Sequence, residues 1–342
     1  MQANPFGPSN HYTLLLDNHG RIITYLRLAV TDRCNLRCHY CMPEHGLEWL
    51  SRSELLSYEE MLRLCSVLVR LGVDKVRITG GEPFVRKDLL QFLTALSKLD
   101  GLQQVSLTTN GVINEPLVPE LKKLGIHSVN LSLDTLDRER FFQITRRDEL
   151  PRVLDTMDAL LRHDIPVKIN AVVMDGQNTD DLIPLAEMTK NLPVDVRFIE
   201  EMPFNGGDHT TGGQLRWDYL RILEALRAEW PGLEKIPDPP FSTSMNYRLP
   251  GHRGKVGIIA AYSRTFCGTC NRIRITPQGV LKTCLYDHGV LHLRDLMRAG
   301  LNDVQLTEHL RDAFRHRHKN GWEAEKARHG RPVEESMATI GG

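Results

Sequence analysis

The sequence predicts an α/β protein built on an incomplete (βα)6 TIM-like barrel, with a small C-terminal α+β region closing the side of the barrel. Strand patterns alternate with helix patterns six times between residues 21 and 199, and strands separated by helices form parallel sheets through right-handed crossovers. Polar and glycine-rich residues recur directly after the strands, where parallel α/β folds bind their ligands. Because six units are too few for a closed eight-stranded barrel, the sheet is either an open doubly wound one or a partial barrel.

The alternation defines each element in turn. The first strand is expected over 21–30 and ends at a cysteine-rich loop. Ser57 and Glu60 form a capping box that begins the first helix, and Gly72 ends it. The remaining strands of the barrel are expected at 75–79, 103–108, 128–133, 167–173 and 194–199. The helices between them are expected near 87–99, 116–124, 137–144, 151–163 and 180–191.

Beyond Met202 the alternation ends and the pattern becomes irregular. We expect a loop over 203–214, a helix over 216–229 and an irregular proline-rich stretch over 231–254. Three short strands and two helices follow, at 255–262, 272–276, 280–285, 291–299 and 307–317. The last twenty or so residues have a flexible pattern. These changes predict a polar N-terminal extension at 1–20, a partial barrel at 21–230 and a C-terminal region at 231–342.

Composition excludes several classes of protein. A chain of 342 residues can bury one large core, or a core and a smaller appended unit. Lys and Arg together number 43, as do Asp and Glu, and this balance argues against a general nucleic-acid binder. No run of 18 apolar residues occurs, so no membrane span is expected. The N-terminal residues lack the pattern of a signal peptide, and we therefore expect a cytoplasmic protein.

Six of the seven cysteines fall into two triplets, which predicts metal binding rather than disulfides. The triplets are Cys34, Cys38 and Cys41, spaced C-x3-C-x2-C, and Cys267, Cys270 and Cys284, spaced C-x2-C-x13-C. Three thiolates can hold three irons of a [4Fe–4S] cluster and leave the fourth open, whereas structural zinc takes four protein ligands. Zinc remains an alternative for either triplet, with His288 as the nearest closing ligand for the second. Cys65 lies in a helical pattern and is expected to be a buried core thiol.

Cations on the predicted strands indicate an anion site inside the sheet. Four of them lie in otherwise apolar strand patterns, namely Arg27, Arg77, Lys168 and Arg197. A charge between two helix layers is costly unless it faces a polar cavity. Arg272 and Arg274 follow the second triplet, and guanidinium groups match the geometry of phosphate. Any one of these cations alone could be a surface residue, but together they favour a barrel lumen that holds a polyanion such as a nucleoside triphosphate.

The first triplet resembles the signature of the radical S-adenosylmethionine (SAM) superfamily. The C-x3-C-x2-C motif follows the first strand, and Gly80-Gly81-Glu82-Pro83 matches the glycine-rich element of that superfamily at the end of the second strand. The resemblance implies a [4Fe–4S] cluster whose open iron is chelated by the amino and carboxylate groups of SAM. One electron from that cluster cleaves SAM to a 5′-deoxyadenosyl radical, so the cofactor performs the difficult step. The implied SAM-binding residues are Tyr40, Gly81, Ser132 and Met202.

Nearly the whole chain, about residues 21–342, resembles one family within that superfamily, the GTP 3′,8-cyclases of molybdenum cofactor biosynthesis. The block FCGTCNRIR and the terminal Gly-Gly are the specific features. The resemblance implies conversion of GTP to (8S)-3′,8-cyclo-7,8-dihydroguanosine 5′-triphosphate, with a second [4Fe–4S] cluster on Cys267, Cys270 and Cys284 whose open iron meets guanine. The implied GTP-binding residues are Arg27, Arg77, Thr108, Lys168, Arg272, Ile273 and Arg274, with Lys75 and Arg197 as further candidates. Gly341 and Gly342 are implied to enter the active site and to matter for turnover rather than folding.

The resemblance also implies partners. They are GTP, an electron donor of the flavodoxin or ferredoxin type, and cyclic pyranopterin monophosphate synthase as the enzyme of the next step. No nucleic acid or membrane partner is expected, and a homodimer is one expected assembly.

Three alternative functions remain open. The first is a radical SAM peptide-maturing enzyme with an auxiliary cluster, although such enzymes usually have a longer, more cysteine-rich C-terminus. The second is a non-catalytic iron–sulfur sensor or electron carrier. The third is an RNA-modifying enzyme, suggested by the basic run 311–319, which is more simply interpreted as a solvated helix end.

Overall fold

The computed structural model describes residues 14–202, 204, 210–211, 214–328 and 335–340, and one sheet of twelve strands dominates it. The first six strands are β1 (Tyr25–Ala29), β2 (Lys75–Thr79), β3 (Gln104–Thr109), β4 (Ser128–Ser132), β5 (Val167–Val173) and β6 (Asp195–Glu200). The later strands are β7 (Thr210–Thr211), β8 (Gln214–Leu215), β9 (Glu234–Lys235), β10 (Ser244–Arg248), β11 (Lys255–Ile259), β12 (Arg272–Ile275), β13 (Val280–Lys282) and β14 (Leu291–His292). Strands β7 and β8 form a separate two-stranded hairpin.

Helices follow most of the barrel strands. Those of the first part are α1 (Tyr58–Arg70), α2 (Leu89–Leu96), α3 (Val118–Lys123), α4 (Arg138–Thr145), α5 (Leu150–Arg162), α6 (Leu182–Asn191) and α7 (Tyr219–Glu229). Those of the C-terminal part are α8 (Leu293–Arg298), α9 (Asp303–Arg315), α10 (Gly321–Lys326) and α11 (Met337–Ile340). No helix within the described ranges is both long enough and apolar enough to cross a membrane.

The six predicted strand–helix units are confirmed as one parallel sheet. Strands β1 to β6 pair in chain order, and each pair is parallel. The sheet does not close on itself. Instead β12 pairs in parallel with β1 and β11 pairs in parallel with β6, so C-terminal strands extend both edges. The architecture is the expected partial barrel, with residues from the end of the chain along both of its open sides.

Side-chain alternation separates an apolar face of the sheet from a polar one. In β1, Leu26 and Leu28 are fully buried in the main core, whereas Tyr25 and Arg27 line a cavity on the other face. The same alternation runs through β2, where Val76 belongs to the core. Because neighbouring side chains of a strand point to opposite faces, the sheet packs its helices on one side and collects its polar side chains on the other.

The structure differs from the sequence prediction mainly in the C-terminal region. The stretch 231–254 is not irregular throughout, because Ser244–Arg248 forms β10 and pairs antiparallel with β11. The predicted flexible terminus is also wrong for its described residues, since α10 and α11 form there and Ala338 and Ile340 are buried. These elements are short, and their stability depends on distant contacts rather than on a local periodic pattern.

Candidate active site

A cavity of about 900 Å³ lies on the polar face of the sheet and brings together the predicted site residues. Both cysteine triplets line it, as do Tyr40, Gly81, Ser132, Met202, Arg27, Lys75, Arg77, Thr108, Lys168, Arg197, Arg272 and Arg274. Ile273 differs, because its side chain is fully buried in the core. Any contact of Ile273 with a ligand would therefore be made by its backbone. Gly341 and Gly342 lie outside the described residues.

Two glycines allow the end of β2 to lie against the first cysteine loop. The Gly81 amide donates a 2.9 Å hydrogen bond to the Thr31 carbonyl. A Cβ atom at Gly81 would lie 2.3 Å from the Arg33 carbonyl oxygen, and one at Gly80 would lie 2.5 Å from the Thr31 carbonyl oxygen. Only residues without side chains permit this approach, which places the glycine-rich turn directly behind the first triplet.

A buried carboxylate ties the glycine-rich turn to the end of β3. Glu82 accepts hydrogen bonds from the Thr109 hydroxyl at 2.9 Å and from the Asn110 amide at 2.7 Å. Burial raises the pKa of Glu82 to about 7 although these donors act in the opposite direction. The Asn110 side chain in turn donates to the Cys34 sulfur at 3.7 Å. Glu82 and Asn110 thus link three strand ends around the first triplet.

Tyr40 is positioned by an aspartate that the sequence analysis did not single out as a site residue. Its hydroxyl donates a 2.9 Å hydrogen bond to the Asp134 carboxylate, which also accepts from the Val172 amide at 2.8 Å. Burial raises the pKa of Asp134 to about 6, despite these two donors. Asp134 lies two residues beyond the end of β4. Its position just after a predicted strand is the one feature of the sequence that indicates a site residue there.

The second triplet lies where β12 starts and the antiparallel β13 ends, whereas the first triplet follows the end of β1, which is parallel to β12. Cys267 begins a single 3-10 turn ending at Thr269, and Cys284 follows β13. Asp287 holds the Cys284 loop by accepting a 2.7 Å hydrogen bond from the Cys284 amide. Burial alone would raise the pKa of Cys270, but the positive charges of Arg272 and Arg317 outweigh it and lower that pKa to about 6. Cys270 therefore favours the thiolate that a metal ligand requires, whereas burial raises the pKa of Cys284 to about 11.

Arg317 corrects one sequence interpretation. The basic run 311–319 was expected to be a solvated helix end, yet Arg317 is only 3% exposed and lines the cavity beside the second triplet. Arg315, two residues earlier, is exposed as expected. The position of Arg317 just beyond the end of α9 turns its side chain inward.

Basic side chains occupy neighbouring positions across the strands between the two triplets. Arg27 lies in register with Arg77 on one side and with Arg274 on the other. Burial first, and then the charges of Arg27 and Arg272, lower the pKa of Arg274 to about 9. Burial and the nearby Arg197 similarly lower the pKa of Lys168 to about 8. These positive charges disfavour the protonated form of their neighbours, as expected for a site that binds an anion.

Several buried polar atoms facing this cavity have no hydrogen-bond partner within the described residues. They are the Thr108 hydroxyl and the side-chain carbonyl oxygens of Asn130 and Asn170. Native proteins seldom leave such atoms unsatisfied. The cavity therefore fits a polar, highly charged ligand better than an apolar one.

The C-terminal segment reaches the first triplet. The Ser336 hydroxyl donates a 2.5 Å hydrogen bond to the Cys41 carbonyl. Glu335 forms an ion pair with Lys282, whose side chain is fully buried, at 2.5 Å. Two contacts thus fix the chain immediately before α11, and Met337 and Ala338 line the cavity.

The thiols fit iron–sulfur clusters better than single ions. Within the described ranges, no three Cys, His, Asp or Glu side chains converge tightly enough to hold one metal ion. This does not favour the zinc alternatives, and His288 does not line the cavity. Soft sulfur donors in threes, partly exposed to one cavity, suit a [4Fe–4S] cluster, whose irons are separate corners.

The chain is similar to known proteins along most of its length. Residues 28–189 match the family described as the Radical SAM superfamily, and residues 194–322 match the one described as Molybdenum Cofactor Synthesis C. Molybdenum cofactor biosynthesis protein 1 of Bos taurus is 44% identical over 293 residues, which are 85% of this chain and 46% of that protein. GTP 3′,8-cyclase of Syntrophomonas wolfei is 39% identical over 326 residues, which are 92% of this chain and 98% of that protein.

A solved structure shares the fold. Streptococcus suis SuiB bound to S-adenosylmethionine superposes with a TM-score of 0.59 at 17% identity, covering 86% of this chain and 69% of that one. At this identity the likeness shows the architecture only and does not favour any one substrate.

The partial barrel with a C-x3-C-x2-C loop at the end of its first strand defines a member of the radical SAM superfamily. Within that superfamily the chain belongs to the GTP 3′,8-cyclase family, since it matches nearly the full length of the Syntrophomonas wolfei protein. It spans about half the length of the Bos taurus relative.

Proposed function

We propose that this protein is a radical SAM enzyme that converts GTP to (8S)-3′,8-cyclo-7,8-dihydroguanosine 5′-triphosphate, the first step of molybdenum cofactor biosynthesis. One observation carries the proposal, namely a single cavity with a cysteine triplet on each side and basic side chains between them. A nucleoside triphosphate has the charge for this middle region, and its base could reach the second triplet while its ribose lies nearer the first.

The residues divide into three groups by role. Cys34, Cys38 and Cys41 hold the first [4Fe–4S] cluster, and Cys267, Cys270 and Cys284 hold the second. When bound, SAM and the first cluster supply radical hydrogen abstraction, while the second cluster supplies an open iron for guanine. Tyr40, Gly81, Ser132 and Met202, which line the cavity, would bind SAM.

The basic side chains bind and orient the triphosphate. Arg27, Arg77, Lys168, Arg272 and Arg274 form the main set, and Lys75 and Arg197 are further candidates. Guanidinium groups bind phosphate through paired hydrogen bonds. Thr108 offers a hydroxyl that lacks a partner within the described chain. Holding the nucleotide in this way limits its motion relative to the reacting ribose carbon.

The C-terminal segment completes the enclosure. Ser336 and Glu335 fix the chain beside the first triplet, and Met337 and Ala338, just after them, line the cavity. We expect a variant lacking Gly341 and Gly342 to load both clusters and fold normally but to lose most of its turnover. Normal activity of that variant would contradict a role for the tail.

Anaerobic reconstitution tests the proposal. Full-length protein with SAM, a reductant and GTP should form the cyclised nucleotide, identified by mass spectrometry, and about eight irons per chain would fit two clusters. Cys284→Ala should reduce the iron to about four and abolish the product, whereas Cys65→Ala, in the core of α1, should change neither. Release of 5′-deoxyadenosine that does not depend on GTP, with no cyclised nucleotide, would refute the proposal.

The wider context is part of the same proposal. A flavodoxin or ferredoxin type of protein would donate the electron, and the product would pass to cyclic pyranopterin monophosphate synthase. We place the enzyme in the cytoplasm, with a homodimer as its proposed assembly.

A further inference from the structure

Arg317 joins the two chain segments that carry the second triplet. Its Nε atom donates a 2.9 Å hydrogen bond to the Thr283 carbonyl, next to Cys284. Its terminal nitrogens donate to the Cys270 carbonyl at 3.0 Å and to the Arg272 carbonyl at 2.9 Å. One planar guanidinium group thus spans the start of β12 and the end of β13, which fixes the separation of Cys270 from Cys284.

The same guanidinium group brings a positive charge to the triplet. Its Nη2 atom lies 3.4 Å from the Cys270 sulfur. Asp17 is its carboxylate partner, at 3.1 Å, and this carboxylate also pairs with Arg21 at 2.6 Å. Arg21 in turn donates to the Cys267 carbonyl at 2.9 Å. Two guanidinium groups therefore share one carboxylate behind the triplet, which leaves a positive excess there.

The contacts of Arg317 exceed those that an arginine with a purely structural role needs. A surface arginine needs no buried counter-charge, and a purely structural one needs no contact with sulfur. Here Arg317 is 3% exposed, and its charge remains only partly neutralised because Asp17 is shared. Hydrogen bonds to the sulfurs, net charge and solvent exposure are the factors that set the potential of an iron–sulfur cluster.

We propose that Arg317 is a positioning residue for the second cluster, which it holds in place and whose reduction potential it raises, with Asp17 limiting that effect. The inference rests on the second cluster of the proposed function. Reduction adds negative charge to a cluster, and a buried positive charge nearby stabilises the reduced form more than the oxidised one. Removing the positive charge should lower the potential, and removing the negative charge of Asp17 should raise it.

The test is a potentiometric titration of the second cluster, followed by electron paramagnetic resonance. Full-length chains in which the three cysteines of the first triplet are alanine isolate the signal of the second cluster. Arg317→Gln is expected to lower the midpoint potential, and Asp17→Asn is expected to shift it in the opposite direction. Arg315→Gln, at the exposed last residue of α9 and two residues before Arg317, is the matched control and should leave both potential and iron content unchanged.

Opposite shifts distinguish an electrostatic role from a structural one, because loosening of the site would act in the same direction in both variants. An unchanged potential in Arg317→Gln, or shifts of the same sign in the two variants, would overturn the proposal. If Arg317→Gln does not retain the second cluster, the midpoint potential of Arg317→Lys tests the proposal instead. Lysine keeps the positive charge but lacks the several N–H donors of the guanidinium group. A midpoint potential like that of the parent protein, with faster loss of iron, would therefore support the proposal. A lowered midpoint potential would contradict it. Absence of the second cluster from the unmodified protein would instead refute the proposed function.

Discussion

Tyr25 shows how neighbouring cations change the chemistry of one side chain. Its hydroxyl accepts a 2.6 Å hydrogen bond from Arg77, and the Lys75 ammonium group lies 5.0 Å from the ring centre. Burial would raise the pKa of Tyr25, but the charges of Arg77, Arg27 and Lys75 outweigh it and lower that pKa from 10.0 to about 7. The sequence analysis did not single out Tyr25, because a tyrosine in a strand is ordinary.

We predict that Tyr25 ionises near neutral pH in the ligand-free protein. Because its pKa is lower in the folded state than in the unfolded state, the unfolded chain binds the proton more tightly between pH 7 and 10. Stability relative to Tyr25→Phe should therefore rise with pH across this window, by no more than about 4 kcal/mol. Carbon-13 NMR of labelled tyrosine should show one resonance titrating near pH 7 that is absent from Tyr25→Phe. If every tyrosine titrates above pH 9, the charge environment is different from the one described.

Gly81 offers a second prediction at this scale. In Gly81→Ala the new Cβ atom meets the Arg33 carbonyl at 2.3 Å, so the cysteine loop or the end of β2 must move. We expect loss of the first cluster, with iron falling from about eight to about four per chain. Gly125→Ala is the control, because its Cβ meets nothing within 4 Å and the left-handed φ should cost only about 1–2 kcal/mol. Full iron content in Gly81→Ala would show that the turn tolerates a side chain.

Cysteines and strand-borne cations were predictable because each breaks the pattern around it. A charge within an apolar strand has few explanations other than a polar cavity. Asp17, Asn110, Asp134 and Arg317 were missed because their roles come from partners far away in the chain. Nothing in the local sequence distinguishes Arg317 from Arg315, one buried and one exposed.

At the scale of elements, the accuracy of prediction follows the length of the repeating pattern. Strands β2 and β5 match their expected bounds, since apolar residues alternate with polar ones along most of each strand and clear helical patterns lie on either side. Helix α9 begins at Asp303 rather than 307 because Asn302 and Gln305 form a capping box that was overlooked. Strand β10 was not predicted because a five-residue strand with polar positions is defined by its pairing with β9 and β11 rather than by its own sequence.

The segment before α11 leads to a prediction about an element. The Lys282 side chain is fully buried and forms an ion pair with Glu335, whose side chain is about a third exposed. Glu335→Gln should leave a buried charge without a carboxylate and cost about 1–3 kcal/mol of unfolding free energy, less than a wholly buried pair. Denaturant unfolding measures this cost.

A double-mutant cycle separates the pair from its surroundings. Adding Lys282→Met to Glu335→Gln removes the unpaired charge and should recover much of the lost stability. Turnover should be reduced in both the single and the double variant, because the terminal segment loses one of the two contacts that fix it and keeps only the bond of Ser336 to Cys41. Additive destabilisation in the double variant would contradict a direct interaction between these two residues.

The whole molecule depends on strands from its C-terminal region. Without β11 and β12, the parallel sheet would present two open edges, at β6 and β1. Both edge strands carry fully buried apolar residues, such as Leu28 and Phe198. The proposed division at residues 230 and 231 therefore separates two patterns of sequence, and we propose that the two regions fold together.

A fragment of residues 21–230 tests this dependence. It should aggregate or bind hydrophobic dyes, because unpaired sheet edges with apolar neighbours recruit other chains. The full chain with a protease site inserted between Asp238 and Phe241, an exposed stretch, is the matched control. After cleavage the chain is likewise broken between β6 and β11, but its two pieces retain the pairing of β11 with β6 and of β12 with β1. We expect those pieces to co-elute as one folded particle with the circular dichroism of the intact chain. A monomeric 21–230 fragment that unfolds cooperatively would show that the barrel is stable alone and that the C-terminal strands serve only the cavity.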